Sequence, residues 1–282
     1  MPFSSTAAPD TTDSVLDVSF TAIVVTYNED RRLRACLENL SFVDQLLVVD
    51  LGSEDRSVEI AEDCGASVLH YDRLPVVEQV RVRVVEKARR DWVFFVDPDE
   101  VFHPALAEHA ITIIKNTEDV GRIFFPWKFY FRGRPLRGTR WGGKKHKGIL
   151  IHKDRCKLSA DVHRGIELKD EYRAAHISWE HPAHHIRHYW IDSYSKLFSK
   201  HLRYIRQEGE SRFNSGRRFS WSSWVRETGR AFKRCLIDQQ GWRDGATGVF
   251  LSLFNAWYES MSLLSLRRYQ KSVSTPSEVS SP

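Results

Sequence analysis

Between Val18 and about Lys115, short and nearly unbroken apolar runs alternate with stretches whose apolar residues recur at helical spacing. Val18 to Thr26 is apolar through Ala22-Ile23-Val24-Val25, too short for a buried helix, and predicts a strand covered on both faces. From Asp30, a capping residue type, Leu33, Cys36, Leu37 and Leu40 fall at i, i+3, i+4 and i+7 and predict an amphipathic helix to about Leu40. Gln45 to Val49 reads as a second strand ending at Asp50, followed by a Gly52-Ser53-Glu54-Asp55 turn. A helix marked by Val58, Ala61 and Cys64 comes next, stopped by Gly65. Ala66 to His70 is a third strand, a helix runs from Pro75 to about Arg90, and Trp92 to Val96 is a fourth, fully buried strand. A helix from Pro104 to about Lys115 and a strand over Arg122 to Phe125 complete the legible part. Strands alternating with helices predict an α/β fold built on a doubly wound, mainly parallel sheet, whose ligands sit beyond the carboxyl ends of the strands.

The pattern then changes. Residues 132–148 hold five glycines and seven Lys/Arg, and predict a flexible cationic loop able to close over a phosphorylated ligand. Residues 184–207 read as a helix with an apolar stripe through Ile186, Tyr189, Trp190, Tyr194, Leu197, Phe198, Leu202 and Ile205. Residues 246–266 are apolar apart from a few polar positions, with Glu259 their only charge. That length is borderline for a membrane span, and Asn255 and Glu259 near the middle favour a helix lying in an interface or packed on the domain.

Composition sharpens this division. The 282 residues carry a formal charge of +5, and residues 181–240 alone hold twelve Lys/Arg against five Asp/Glu, so the basic face belongs to the C-terminal part. Six of the nine tryptophans fall after residue 178, as suits a surface at a membrane–water boundary. Four scattered cysteines, with no C-x-x-C spacing, speak against a zinc site or a disulfide framework and for a reducing cytosol. Residues 1–17 lack the basic start and apolar core of a secretory signal and read as a disordered leader, as 271–282 do as a tail. The expected division is therefore a catalytic domain over 18–180, its nucleotide half ending near 115, and a helical, basic and aromatic region over 181–270.

The chemistry gathers where the strands end. Trp92-Val93-Phe94-Phe95-Val96 runs into Asp97-Pro98-Asp99-Glu100, and three adjacent carboxylates at a strand end are costly unless a cation neutralises them. A divalent ion carrying phosphates is the usual partner. Tyr27-Asn28-Glu29 after the first strand and Asp50 after the second would reach the same edge. His184 and His188 stand at i, i+4, but without a nearby cysteine they read as a polar helix surface. The basic residues lack a recognised nucleic-acid fold, so no nucleic-acid partner is expected.

Three stretches, Ala22-Ile-Val-Val-Thr-Tyr-Asn-Glu29, Val48-Val-Asp-Leu-Gly-Ser-Glu-Asp-Arg-Ser57 and Trp92-Val-Phe-Phe-Val-Asp-Pro-Asp-Glu100, resemble in order and spacing the nucleotide-sugar half of inverting family 2 glycosyltransferases. Gly241 to Phe250 is similar to the C-terminal end of the bacterial subgroup that includes lipopolysaccharide-core β-glucosyltransferases. The resemblance implies a GT-A fold, a nucleoside-diphosphate sugar donor with a UDP-sugar foremost, Mg²⁺ or Mn²⁺, and a saccharide or lipid-linked saccharide acceptor. The work would be lipopolysaccharide or polysaccharide assembly, with peripheral contact on the cytoplasmic face of the membrane. It implies that Thr26, Tyr27, Glu29, Asp50 and Asp97 hold the nucleotide sugar and that Asp99 binds the metal, with His163 as a further ligand. Arg83, Arg140, Lys144 and Lys145 would assist at the phosphates. The subgroup places a His-Glu pair where this chain has His163-Arg164, and arginine cannot serve as a general base. Asp161, Glu167 or Glu100 would take that role. The alternatives are a phosphohydrolase of the haloacid-dehalogenase type, whose signature Asp97-x-Asp99 also fits, and a homologue that binds donor without turnover.

Overall fold

The computed structural model describes residues 18–74, 77–160 and 165–274. In chain order the elements are β1 (Phe20–Thr26), α1 (Asp30–Glu38), β2 (Gln45–Asp50), α2 (Ser57–Asp63), β3 (Ser67–His70), α3 (Val77–Val84), β4 (Trp92–Val96), β5 (Glu100–Val101) and α4 (Ala105–Asn116). They continue with β6 (Val120–Phe131), β7 (Arg134–Pro135), β8 (Lys145–His152), β9 (Cys156–Leu158), β10 (Ile166–Leu168), β11 (Arg173–His176) and β12 (Ile186–Ile191). The described residues end with α5 (Tyr194–Asn214), α6 (Trp221–Lys233), a π-helical turn (Arg234–Asp238), a 3-10 turn (Gly241–Asp244) and α7 (Gly245–Ser274).

The main sheet runs β3-β2-β1-β4-β8-β6-β12-β5. β3, β2, β1 and β4 are parallel; β8 lies antiparallel between β4 and β6; β12 runs parallel to β6. This is the mainly parallel α/β sheet expected from the alternating pattern. Every residue of β1 and β4 is buried because both faces are covered. One core lies under α1, α2 and α4, with Phe20, Phe94, Phe102 and Phe125 stacked edge to face or tilted at its centre. The other lies under α3, with Val80 and Val84 against Ile23, Val93 and Phe95.

Several boundaries differ from the sequence expectations. The helix expected to reach Arg90 ends at Val84, followed by a 3-10 turn over Val85–Lys87. The strand expected over Arg122 to Phe125 extends to Phe131. The helix expected over 184–207 is two elements: Ile186–Ile191 is strand β12, and the helix begins only at Tyr194, capped by the Ser193 hydroxyl.

The cationic stretch at 132–148 is no free lid. It supplies β7 and the start of β8, and its middle is fastened to the helical region: the Asp244 carboxylate accepts the N–H groups of Arg137 (2.7 Å) and Gly138 (2.8 Å). Gly138 packs so closely on the Gln240–Gly241 backbone that a Cβ there would overlap it.

Helices α5, α6 and α7 pack together, and the foot of α7 enters a third core in which Leu251 and Phe254 meet Phe131, Leu136, Trp190 and Leu197. The polar groups that would be costly in lipid are used internally. Glu259 forms a two-point pair with Arg212 (2.6 and 3.0 Å), and Asn255 donates to the Ala231 carbonyl and accepts from Arg140. Among the described residues no helix is long and apolar enough to cross a membrane.

Candidate active site

The loops after β1 and β2 are built on each other. Ser53 Oγ, Ser57 Oγ and an Asp55 carboxylate oxygen accept the successive backbone N–H groups of Asn28, Glu29 and Asp30, while the Asn28 side chain accepts from the Glu54 N–H. Asn28 has a φ of 55°, a left-handed conformation that asparagine tolerates, and this turns the chain sharply out of β1. The turn leaves Tyr27 under the Arg73 guanidinium, 4.2 Å from the ring centre, and aims Glu29 into the crevice. Asp50, buried at the end of β2, accepts from the N–H groups of Gly52 and Ser53 at 3.1 Å. Burial pushes its carboxyl up, yet the hydrogen bonds from Ser53 and Gly52 outweigh this and hold it below its usual value. Asp50, Gly52, His70, Tyr71 and Asp72 line a hollow of about 410 Å³ on this side of the edge. Thr26 is buried at the last position of β1.

At the end of β4 the three carboxylates have separate fates. β8 pairs with β4 so that Phe94 faces Leu150, and continuing this register sets Lys147 opposite Asp97. The Lys147 ammonium lies 2.6 Å from Asp97 and 2.6 Å from Glu100, and the Arg81 guanidinium of α3 lies 2.7 Å from the other Asp97 oxygen. Burial would raise the Asp97 carboxyl, but Lys147 and Arg81 overcome it and hold the group far below the ordinary carboxylate range. Burial would likewise lower Lys147, and its two carboxylate partners instead hold it above its normal value.

Asp99 has no such cation. Its side chain is a quarter exposed, and its backbone is clamped by β12, where Tyr189 N–H donates to the Asp99 carbonyl at 2.8 Å. His188 Nδ1 stands 3.4 Å from the Asp99 carboxylate and 3.5 Å from Glu100, in line with neither well enough for a hydrogen bond. Burial, with Asp97 and Glu100 nearby, outweighs the opposing His188 and Lys147 and pushes the Asp99 carboxyl up to about 6. Burial and Asp99 push Glu29 up to about 7. Both carboxylates open on a crevice of about 420 Å³ whose far wall is α5, bearing Lys196, Ser199, Lys200 and Arg203.

The structure thus brings Thr26, Tyr27, Glu29, Asp50, Asp97 and Asp99 to one edge, as the strand ends predicted, and corrects other assignments. Glu100, expected among the general bases, is fully buried and spoken for: its oxygens accept from Lys147, from the Trp127 indole (2.6 Å) and from the Asp97 N–H (3.2 Å). It anchors the strand end and has no face toward an acceptor. Arg83 is exposed on α3 without reaching the carboxylates; Arg81, two residues earlier, is the arginine that does. Lys144 is exposed, Lys145 donates to the Arg140 carbonyl (2.6 Å), and Arg140 donates to the Asn255 side chain. Glu167 is exposed on β10, opposite Lys157, while its neighbours Gly165 and Ile166 line a separate hollow with Arg81 and Lys147. His188 is on a strand, so the helical i, i+4 relation with His184 does not exist. Asp161 and His163 lie outside the described residues.

Residues 21–163 match the family model described as glycosyl transferase family 2. The chain belongs to that family. The family's domain occupies half of the chain and here takes the GT-A form, with the helical region following it. Among curated proteins, a TPR repeat-containing protein of Synechococcus elongatus is 35% identical over 78 residues, 27% of this chain and 19% of that protein. The uncharacterized glycosyltransferase YibD of Escherichia coli is 25% identical over 151 residues, 50% of this chain and 44% of that one. The chain therefore spans less than half the length of either relative. Among solved structures, glucosyl-3-phosphoglycerate synthase from Mycobacterium tuberculosis, in complex with Mn²⁺, UDP and glucosyl-3-phosphoglycerate, is 22% identical. That match covers 42% of this chain and 45% of that one, with a TM-score of 0.34.

Proposed function

We propose that this chain is an inverting glycosyltransferase that uses Mg²⁺ or Mn²⁺ to move a sugar from a nucleoside-diphosphate sugar, a UDP-sugar foremost, to a saccharide or lipid-linked saccharide. Its place would be lipopolysaccharide or surface-polysaccharide assembly on the cytoplasmic face of a membrane. One observation carries the reading. Asp97 and Glu100 are neutralised from within the protein, whereas Asp99 and Glu29 share a crevice, repel each other and are held well above their ordinary pKa values. A divalent cation would relieve that repulsion. Among the described residues no three His, Cys, Asp or Glu side chains form a closed metal cage. That fits a cation held by one or two carboxylates and otherwise by diphosphate oxygens and water, as Mg²⁺ commonly is. Asp99 would be its protein ligand, and it would offset the charge that builds on the leaving diphosphate.

The chain's own groups divide the remaining work. The hollow at Asp50, with Tyr27 and Thr26 beside it, takes the base and ribose; Arg81 and Lys147 fix the Asp97 carboxylate in one orientation. Lys196, Lys200 and Arg203 of α5 present positive charge across the crevice from Glu29 and Asp99. Of the three carboxylates expected as the base, Glu100 is buried, which leaves Asp161 and Glu167 for the acceptor proton. Membrane contact is assigned to the helical region, where Trp221, Val225, Ile237, Trp242, Val249 and Leu253 are exposed. The phosphohydrolase alternative falls with the family assignment.

Calorimetric titration with UDP, GDP and dTDP, each with and without Mn²⁺, tests the donor site. One diphosphate should bind in a metal-dependent way, and Asp99→Ala should remove that dependence while leaving the unfolding transition in place. Binding that survives in Asp99→Ala refutes the site. Donor binding without transfer to any saccharide acceptor would mark a homologue that has lost turnover.

A further inference from the structure

The helical region holds a second polar cavity, of about 470 Å³, that takes no part in the crevice above. Its walls carry four arginines: Arg140 from the stretch between β7 and β8, Arg217 from the turn before α6, Arg230 from α6, and Arg234 from the π-helical turn (Arg234–Asp238) that follows α6. Its floor is α7, through Asn255 and Glu259.

The arginines fall into two kinds. Arg140 is steadied by the Asn255 side-chain oxygen (3.1 Å) and Arg217 by Glu227 (2.7 Å), so both guanidinium groups are held in place. Glu259, the other carboxylate of the cavity, is engaged by Arg212 from α5 and is kept ionised: burial pushes its carboxyl up, but Arg212, with Arg217 and Arg140 farther off, outweighs this. Arg230 and Arg234 have no carboxylate partner among the described residues. They stand four residues apart where α6 passes into the π-helical turn over Arg234–Asp238, and like charges at that spacing repel rather than add stability.

We propose that this cavity binds a phosphate group. Guanidinium forks match phosphate oxygens two at a time, and two steadied arginines facing two unpaired ones form a clamp that only an anion completes. The phosphate could be carried by a soluble ester or by the headgroup of an anionic lipid, since both present the same oxygens. The proposal stands apart from the donor site and does not depend on its chemistry.

The test uses the full chain, inorganic phosphate, and vesicles of phosphatidylcholine with or without phosphatidic acid. Arg230→Gln/Arg234→Gln is compared with wild type and with a control pair on the sheet domain, Arg89→Gln/Lys157→Gln. Phosphate should raise the wild-type and control melting temperatures and bind the α6 variant about tenfold more weakly, the weight of a lost charge-assisted contact. The variant should melt no lower than wild type without phosphate, which separates loss of a ligand from loss of fold. Vesicle co-sedimentation that depends on phosphatidic acid and is lost in the α6 variant alone assigns the phosphate to a lipid. Unchanged vesicle behaviour with a lost phosphate response assigns it to a soluble ester. Phosphate and vesicle responses equal in all three proteins would overturn the proposal.

Discussion

At the scale of single residues, Lys147 decides the state of the site. One ammonium answers two carboxylates, so Lys147→Met leaves Asp97 with Arg81 alone and Glu100 buried with no counter-charge. Breaking such a pair costs about 3 kcal/mol, and denaturant unfolding of the variant should show a loss of that order. Lys147→Arg should recover part of it. A second residue sets a pH dependence. His185 is buried between the Tyr130 hydroxyl (3.0 Å) and the Pro182 carbonyl (2.9 Å), and burial lowers its pKa to about 4. The unfolded chain takes up the proton first as pH falls below about 6.5, so stability is complete at neutral pH and declines toward pH 4. By about pH 5 the loss should reach about 2 kcal/mol, and His185→Asn should flatten that slope. The acidic half of the site could be read from the chain because Asp50, Asp97 and Asp99 each follow an apolar run. Its basic half could not, because Arg81 and Lys147 reach Asp97 through a helix face and a strand register that no local pattern records.

At the scale of elements, legibility followed burial. β1, β2 and β4 are covered on both faces and stand out as apolar runs. β12 does not: Ile186, Tyr189 and Trp190 happen to lie at helical spacing and run almost directly into α5, which has a true helical period. The β-branched and aromatic content of Ile186–Ile191 was the better guide. The cationic stretch at 132–148 misled for another reason. Two of its glycines serve close packing, since Gly138 and Gly142 would collide with neighbouring backbone if they carried a Cβ. The same holds at the foot of α7, where a Cβ on Gly248 would overlap the Gly241 carbonyl. Gly248→Ala should therefore destabilise by about 2 kcal/mol or more, despite alanine's higher helix propensity, and a lowered denaturant midpoint would show it.

At the scale of the whole molecule, α7 is a structural member as well as a surface. Its Leu251 and Phe254 fill the core at Phe131, Leu136, Trp190 and Leu197, so deleting residues from 241 onward would open that core and could not report on membrane contact. Surface substitutions can. Trp221→Ser/Trp242→Ser removes the two most exposed indoles, 56% and 60% accessible, and should reduce co-sedimentation with neutral vesicles while leaving metal-dependent nucleotide binding intact. Undiminished vesicle binding would place the contact elsewhere.

The position of Lys147 on β8 also bears on modularity. All three sequence motifs lie before residue 101, and a fragment ending near 115 would look like a portable nucleotide-binding half. Such a fragment would contain Asp97 and Glu100 without the ammonium they share, and without the Trp127 indole that holds Glu100 in place. The motifs are therefore not a separable cassette: transplanted or expressed alone, they would bring the acids without the base that makes them tolerable, and a graft that carries the function must extend through β8.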